Sequence, residues 1–495
     1  MKKVVLTAFA ACISAFAMAG GVLTNTNQNA AFLRHMSQDA IIDINGLYMN
    51  PAGTAFLKDG WHLNVSLQNA KQSRDIITTF PLFQYNVNNR NATHEFEGDA
   101  YAPVIPGFML SYNHGKWSVN ANFAISGGGG KCEFDKGLGS FEALYSSNIF
   151  SSKALLEGGV KSALPGMVKQ GLIAKGESEA QADMLIASPG AEYNAHLAGY
   201  GMDAYMKGRQ YFFGLQLGAT YKALDNLAFY LGLRGVYANC NYNGYVQDIK
   251  ATVAYDYAIP AAGLNGNGSQ EVDLSSQSLA LNCDQKGFGV TPILGVDWRV
   301  NEHWNLAAKY EFETKMRLKN KTEMNDFAKA QVASGNETLA QFEDGKKVAA
   351  NIAGILTMGA QYSPIEKVRM NAGFHYYFDK GANQYGNKQD LLDKNTWEIL
   401  TGAEWDICKY FTLSASWQRT KYGFSDAYMN DLSFNLSCNS LGVGFRINAN
   451  ERVSVDFGYM HTFYQDRNVA TLGGMKSDLY HRTNRVFGLG VNVDL

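Results

Sequence analysis

"WHLNVSLQN", Trp61 to Asn69, sets Trp61, Leu63, Val65 and Leu67 on one side of the chain and His62, Asn64, Ser66 and Gln68 on the other. Side chains alternate between faces in an extended strand, so a period of two predicts β structure. "WSVNANFAI", Trp117 to Ile125, repeats the pattern, with Trp117, Val119, Ala121, Phe123 and Ile125 against Ser118, Asn120, Asn122 and Ala124.

Carried along the chain, the same reading predicts fourteen strands: roughly 61–69, 105–113, 117–126, 211–221, 226–239, 287–299, 303–315, 350–363, 367–378, 395–407, 411–422, 433–449, 452–463 and 484–495. Several carry charge on the second face. Lys309, Glu311 and Glu313 oppose Trp304, Leu306, Ala308, Tyr310 and Phe312, and Glu398, Glu404 and Asp406 oppose Trp397, Ile399, Ala403, Trp405 and Ile407.

The connections alternate in length. Links at 114–116, 222–225, 301–302, 364–366, 408–410 and 450–451 are short, whereas 127–210, 240–286 and 316–349 are long and 379–394, 423–432 and 464–483 intermediate. Short turns at one end and long loops at the other predict a bacterial outer-membrane barrel with its turns in the periplasm. Hydrocarbon does not satisfy an open strand edge, so the sheet must close. The closing strand would point Phe487, Leu489, Val491, Val493 and Leu495 outward and Gly488, Gly490, Asn492 and Asp494 inward. All of Trp61, Trp117, Trp298, Trp304, Trp397, Trp405 and Trp417 fall in predicted strands, most near an end, as interfacial girdles require. The core aromatics of a soluble sandwich are the alternative reading.

Composition agrees: 50 Gly, 27 Tyr and 28 Phe against 9 Pro favour strands over helical domains. A net charge of −2 without a basic block excludes nucleic acid as a partner. Lys2 and Lys3, the apolar run Val4 to Phe16 and Ala17-Met18-Ala19 predict a signal peptide over 1–19, with a mature chain from Gly20. Cys12 lies inside the apolar run and is no site for an acyl anchor. Beyond that run no stretch of about 18 apolar residues offers a spanning helix, which leaves a barrel untouched.

Residues 20–60 precede the first strand and do not alternate. "TNTNQNAAFLRHMSQDA", Thr24 to Ala40, mixes amides with Phe32, Leu33 and Met36, and is expected to fold back as a plug, with 61–495 forming the barrel. Phe32, Leu33 and Met36 are candidates for contact with an apolar ligand. Arg34 either holds a ligand carboxylate or pairs with an inward wall acid such as Glu311 or Glu404. Asn50-Pro51 reads as a rigid turn, reversing the plug or lying at the surface. Helices are expected within 141–184 (one or two) and 324–342. Their apolar residues either pack the loops or offer a landing site for a hydrophobic solute. Gly127 to Gly130 ends the third strand, as a kink or as the start of a flexible loop.

Cys132, Cys240, Cys283, Cys408 and Cys438 show no zinc spacing; Cys240 and Cys283 flank a polar segment that a disulfide would bridge. Neither a Gly-x-Ser-x-Gly elbow nor a His-Glu-x-x-His motif occurs, so no enzyme, cofactor or dedicated metal site is expected, while carboxylates on the loops could bind calcium without a motif.

With "DAIIDINGLYMNPAG", Asp39 to Gly53, the chain resembles the FadL family of outer-membrane transporters for long-chain fatty acids and other hydrophobic compounds. The resemblance rests on that stretch, on its place between signal peptide and first strand, and on the strand count. It implies a fourteen-stranded antiparallel barrel plugged by an N-terminal hatch to which Asn50, Pro51 and Ala52 belong. Hydrophobic substrate would be captured by external loops, held in an internal pocket, and released sideways where the third strand kinks. Ile125, Gly127, Gly128, Gly129 and Gly130 are the residues at that position. The implied partners are a hydrophobic small molecule, outer-membrane lipid and the barrel-assembly machinery, with the protein a monomer. Ending in Leu495 rather than Phe, and opening Gly20-Gly21-Val22-Leu23, the chain departs from the family pattern. A polar-solute porin and a structural or adhesive barrel are the competing readings.

Overall fold

The computed structural model describes residues 22–495, so the signal peptide expected over 1–19, Cys12 and Gly20-Gly21 lie outside the described residues. From Val22 the chain runs through the bore of a barrel before entering its wall. A short helix, α1 (Ala30–Arg34), is capped by Asn29, whose Oδ1 accepts the Phe32 amide at 2.8 Å. Two 3₁₀ turns follow, Ile44–Gly46 and Pro51–Phe56.

The wall is one antiparallel sheet. Its segments are β1 (Gly60–Thr79), β2 (Thr93–His114), β3 (Trp117–Phe134), β4 (Glu192–Leu224), β5 (Leu227–Ile259), β6 (Leu264–Asp273), β7 (Leu279–Arg299), β8 (Trp304–Glu311), β9 (Arg317–Met324), β10 (Lys347–Ala349), β11 (Ile355–Ile365), β12 (Val368–Tyr377), β13 (Trp397–Cys408), β14 (Phe411–Lys421), β15 (Cys438–Asn448), β16 (Val453–Tyr464), β17 (Arg467–Thr471) and β18 (Lys476–Asp494). β8 with β9, and β10 with β11, are each one crossing interrupted by a break, while β6 and β17 are hairpin arms outside the wall. Fourteen crossings remain, and β18 closes the barrel on β1 from His62 opposite Asp494 to Thr79 opposite Ser477.

Alternation places polar side chains inward and apolar ones on the lipid side. In β1, His62, Asn64, Ser66 and Gln68 are buried in the bore, and Trp61, Val65 and Leu67 are exposed. At the short-turn end Trp61 meets Tyr112, Trp117 meets Tyr221 and Trp304 meets Tyr362 with ring centroids 4.6, 4.7 and 4.6 Å apart, an aromatic girdle on the outer face.

Several crossings run well past the predicted ends. β4 and β5 are 33 residues each, against predictions of 211–221 and 226–239. Above the lipid the polarity of this hairpin inverts: Cys240, Tyr242, Val246, Ile249, Ala251 and Val253 of β5 are buried inside while Asn239, Asn241, Asn243, Gln247 and Lys250 lie on the outer face, so the apolar outward series that marks a lipid-facing strand ends there. The loops at 240–286 and 316–349 are correspondingly rich in strand. In 127–210 three helices form, α2 (Gly139–Ser151), α3 (Lys153–Ala174) and α4 (Glu179–Ile186), and α5 (Asp326–Ala333) and α6 (Glu337–Ala340) fall in the second helical region.

Cys240 and Cys283 are both free, which corrects the expected disulfide. In the β5–β7 ladder Cys240 faces Gln285 and Cys283 faces Tyr242, so the two sulfurs are diagonal neighbours rather than opposed.

Candidate functional site

The plug is held by matched geometry and charge. On the inner wall Gly458 and Gly488 let α1 lie directly on backbone: a Cβ on either would come within 2.7 Å of Leu33 side-chain atoms. Phe32, Leu33 and Met36 pack with Ile44, Leu47, Met49, Met460 and Val486, and so fill the lower bore. Arg34, buried, pairs with Glu404 and with Asp456, the latter at 2.8 Å. Arg446 joins Asp456 to Asp43 at 2.8 and 2.7 Å, and Arg369 joins Glu404 to Asp406 at 3.1 and 2.6 Å. Of the two readings for Arg34, the pairing with wall acids is the one present. Glu311 instead receives Arg234 and Lys309, each at 2.6 Å, with Lys309 3.9 Å over the Tyr48 ring and donating to the Tyr48 carbonyl at 2.7 Å. His375 bridges the plug's Asp39 and the wall's Glu398 at 2.8 and 2.9 Å.

Asn50 and Pro51 form an anchored turn inside the bore. The Asn50 amide donates to the Asp297 carboxylate of β7 and to the Ile41 carbonyl (3.2 Å), and its own Oδ1 accepts the Gly53 amide at 3.2 Å. Pro51 opens the 3₁₀ turn, where its missing N–H costs nothing, and its carbonyl accepts Thr220 Oγ1 at 3.1 Å. Ala52 is fully buried against Tyr230 and Ile293.

Higher up, the wall is broken. β2 and β3 pair from His114–Trp117 to Gly107–Ala124 and then only at Asp99–Glu133, leaving 100–106 and 125–132 without a ladder to each other. Pro103 and Pro106 lie in the part of β2 that has no partner on β3, and neither brings an N–H to that edge. On its other edge β3 slips register against β4 at Ile125/Gly127 and Gly127/Gly130, with Gly128 and Gly130 at φ of 87° and 66°. Gly129 shares this irregular stretch.

Leu23, Thr24 and Asn25 occupy the break. Thr24 bridges Gly127, the Gly128 amide donates to the Leu23 carbonyl at 3.0 Å, and the Asn25 amide donates to the Ser126 carbonyl at 3.0 Å. A side chain at Gly127 would collide with the Leu23 carbonyl. About 40 Å³ of free space is left between Asn25, Ala70, Ala100, Ile105, Ile125 and Tyr211. Tyr101 and Val104, on the β2 rim, face outward and are exposed.

Inside the break lies the largest apolar cluster among the described residues, to which Val22, Leu23, Ile76, Phe96, Phe134, Phe212 and Tyr480 all belong. Arg74 and Arg482 enter its surroundings from β1 and β18. They are directly opposite in the ladder, both buried, with Arg74 5.3 Å over the Phe434 ring and Arg482 4.7 Å over Tyr464. Arg74 Nε donates to Gln72 Oε1 at 3.2 Å and Arg482 to Asn435 Oδ1 at 3.1 Å. The sequence reading missed both, because the predicted strands stop at 69 and start at 484. Continuing their even-numbered inward series by a few residues reaches both arginines.

No protein-family model matches the chain, and no curated protein matches it. Among solved structures, a FadL homologue from Pseudomonas aeruginosa superposes with a TM-score of 0.57 at 12% identity, over 96% of this chain and 100% of that one. The chain has the FadL-type barrel fold. The P. putida toluene transporter TodX shares that fold at a TM-score of 0.53 and 11% identity, over 90% of this chain and 92% of its own. The Ralstonia pickettii toluene transporter TbuX does so at 0.52 and 11%, over 94% and 98%. At these identities the likeness is one of architecture; the plug and the broken third crossing of this FadL-type barrel are described above from its own residues.

Proposed function

We propose that this protein is an outer-membrane channel of a Gram-negative bacterium for the uptake of long-chain fatty acids or similar hydrophobic compounds with an anionic head. One observation carries the reading: two opposed arginines border an apolar cluster that abuts a break in the wall stoppered by residues 22–25. An acyl chain gains about 0.8 kcal/mol for each methylene it buries. Paired guanidiniums suit a carboxylate, and a toluene-type solute would have no use for them. Leu155, Met167 and Met184, exposed on the loop helices at 79%, 41% and 67%, supply the first apolar contact. Residues 20–60 act as the hatch: withdrawal of Leu23 to Asn25 from β3 opens the break, and solute leaves sideways between β2 and β3. The 40 Å³ now free there is too small for an acyl chain, so movement of the arm is required.

The test compares a long-chain fatty acid with its methyl ester on the purified protein. In Arg74→Gln/Arg482→Gln the acid should bind roughly 10- to 100-fold more weakly, as expected for lost charge-assisted hydrogen bonds, with the ester unchanged. Equal loss for both ligands would remove the arginines from the site. No binding of either ligand by the unmodified protein would end the transport reading.

A further inference from the structure

Above the lipid-facing band the outer face of β7, β9 and β10 turns abruptly basic. On β7 the exposed or half-exposed outward series Trp298, Val296, Leu294, Val290, Phe288 ends at Lys286, after about the ten residues that one bilayer crossing needs. On the neighbouring crossing Leu306, Tyr310 and Phe312 give way to Lys315, Arg317, Lys319 and Lys321, all exposed at successive outward positions. Lys347 of β10 is exposed beside them.

The register makes the crowding severe. Lys319 is directly opposite Lys286 on one side and directly opposite Lys347 on the other, a row of three ammonium groups across three strands. Like charges placed so destabilise a sheet. Among the described residues none of the six cations makes an ion pair or a side-chain hydrogen bond. Three nearby acids have other partners: Asp284, opposite Lys321, accepts from Asn241 at 2.9 Å, Glu313 accepts from Asn351 at 2.7 Å, and Asp344 accepts the Thr322 amide at 2.9 Å; Glu323 lies beyond the row, opposite Asn282. Beside Lys315 and Arg317 a groove of about 560 Å³ runs to Asn351 and Asn383.

We propose that this face docks a phosphate-bearing lipid of the outer leaflet, its phosphates among Lys286, Arg317, Lys319 and Lys347 and its acyl chains on the band below. The position identifies the occupant. The cations begin where the apolar band ends, at headgroup height on the long-loop side, so an anion held there with its tails in the membrane satisfies both surfaces at once. The row of lysines would otherwise repel itself. The proposal shares only the membrane location with the transport reading, and lipid retention is measured without any transport.

Native mass spectrometry of the full chain in detergent tests it, with diphosphorylated lipid A, its phosphate-free analogue and inorganic pyrophosphate as probes. The diphosphorylated lipid should be retained, and Lys286→Gln/Arg317→Gln/Lys319→Gln/Lys347→Gln should bind it at least about tenfold more weakly. Lys58→Gln/Lys116→Gln/Lys367→Gln/Lys409→Gln, which removes as many charges at the other mouth, should bind like the unmodified protein. Heat-modifiable migration on gels reports barrel folding in each case; should the first variant not fold, Arg317→Gln/Lys319→Gln is used, with the same expected direction. Unchanged binding in the patch variant, equal retention of the phosphate-free lipid, or displacement of the lipid by pyrophosphate at equal concentration, as at a free-phosphate site, would overturn the proposal.

Discussion

Arg74 and Arg482 face each other across the seam between the first and last crossings, both buried. Each guanidinium is a planar fork of donors, and a carboxylate can accept from both. Replacing Arg482 with Lys keeps the charge and loses the fork. Fatty-acid affinity measured by fluorescent displacement should therefore fall in the order unmodified, Arg482→Lys, Arg482→Gln, with the Lys variant about tenfold weaker than the parent. A Lys variant as tight as the parent would show that charge alone matters.

The arm in the wall break is a gate only if it moves. Asn25 lies opposite Ser126, next to the Thr24–Gly127 bridge, close enough for a disulfide. In a background with the other cysteines replaced by serine, oxidised Asn25→Cys/Ser126→Cys should stop fatty-acid uptake by cells, and reduction should restore it. Uptake that continues through the oxidised protein would place the exit elsewhere.

Arg34 ties the plug to two wall acids. Arg34→Ala leaves the buried Asp456 and the largely buried Glu404 with fewer partners, a change that costs about 3–5 kcal/mol when a buried pair loses one member. Arg446 and Arg369 still reach these acids, so the loss should sit at the low end of that range. Sugar-driven swelling of liposomes should rise above that of the unmodified protein, and deletion of residues 22–45 should raise it further.

Gly488 offers a steric counterpart. A Cβ there would come within 2.7 Å of Leu33 Cδ1 and 2.9 Å of Ala30 Cβ. Gly488→Val should leave the barrel folded by heat-modifiable migration and lift α1 off the wall, giving a leak to sugars like that of Arg34→Ala. A sealed Gly488→Val barrel would show that the helix can shift to make room.

His35, in the plug, gives a pH signature. Burial drives its pKa down to about 4; Glu404 pulls the other way, Arg34 and Arg369 push with burial, and Asp39 opposes them. A histidine whose folded pKa lies below its unfolded value contributes stability that is complete above about 6.5 and is lost as pH falls towards 4. Asp43, which burial would raise, is held by Arg446 at about 2, so its contribution is lost only at lower pH. Single-channel leak should therefore increase between pH 6.5 and 4, and His35→Gln should remove that part of the dependence.

Much of this was legible along the chain. Period-two alternation, such as Trp61 to Gln68, specifies a strand with one greasy face, and turn lengths order the crossings, because both are local properties. The strand ends above the membrane were not legible, since β4 and β5 continue there with apolar residues inward and polar ones outward, the reverse of the lipid-facing pattern that had marked the strand. Arg34 shows the same division: Glu404 was named as a candidate partner beside Glu311, and only the folded bore selects Glu404 and adds Asp456.

By itself the sequence determined a closed sheet with an apolar outside and a polar inside, because each residue's face follows from its neighbour's. Tertiary structure alone decided that Arg74 meets Arg482, that Leu23 to Asn25 fill the break in the third crossing, and that Lys286, Lys319 and Lys347 form one row. Each is a juxtaposition of residues far apart in the chain, set by barrel closure and register, and no local pattern encodes it.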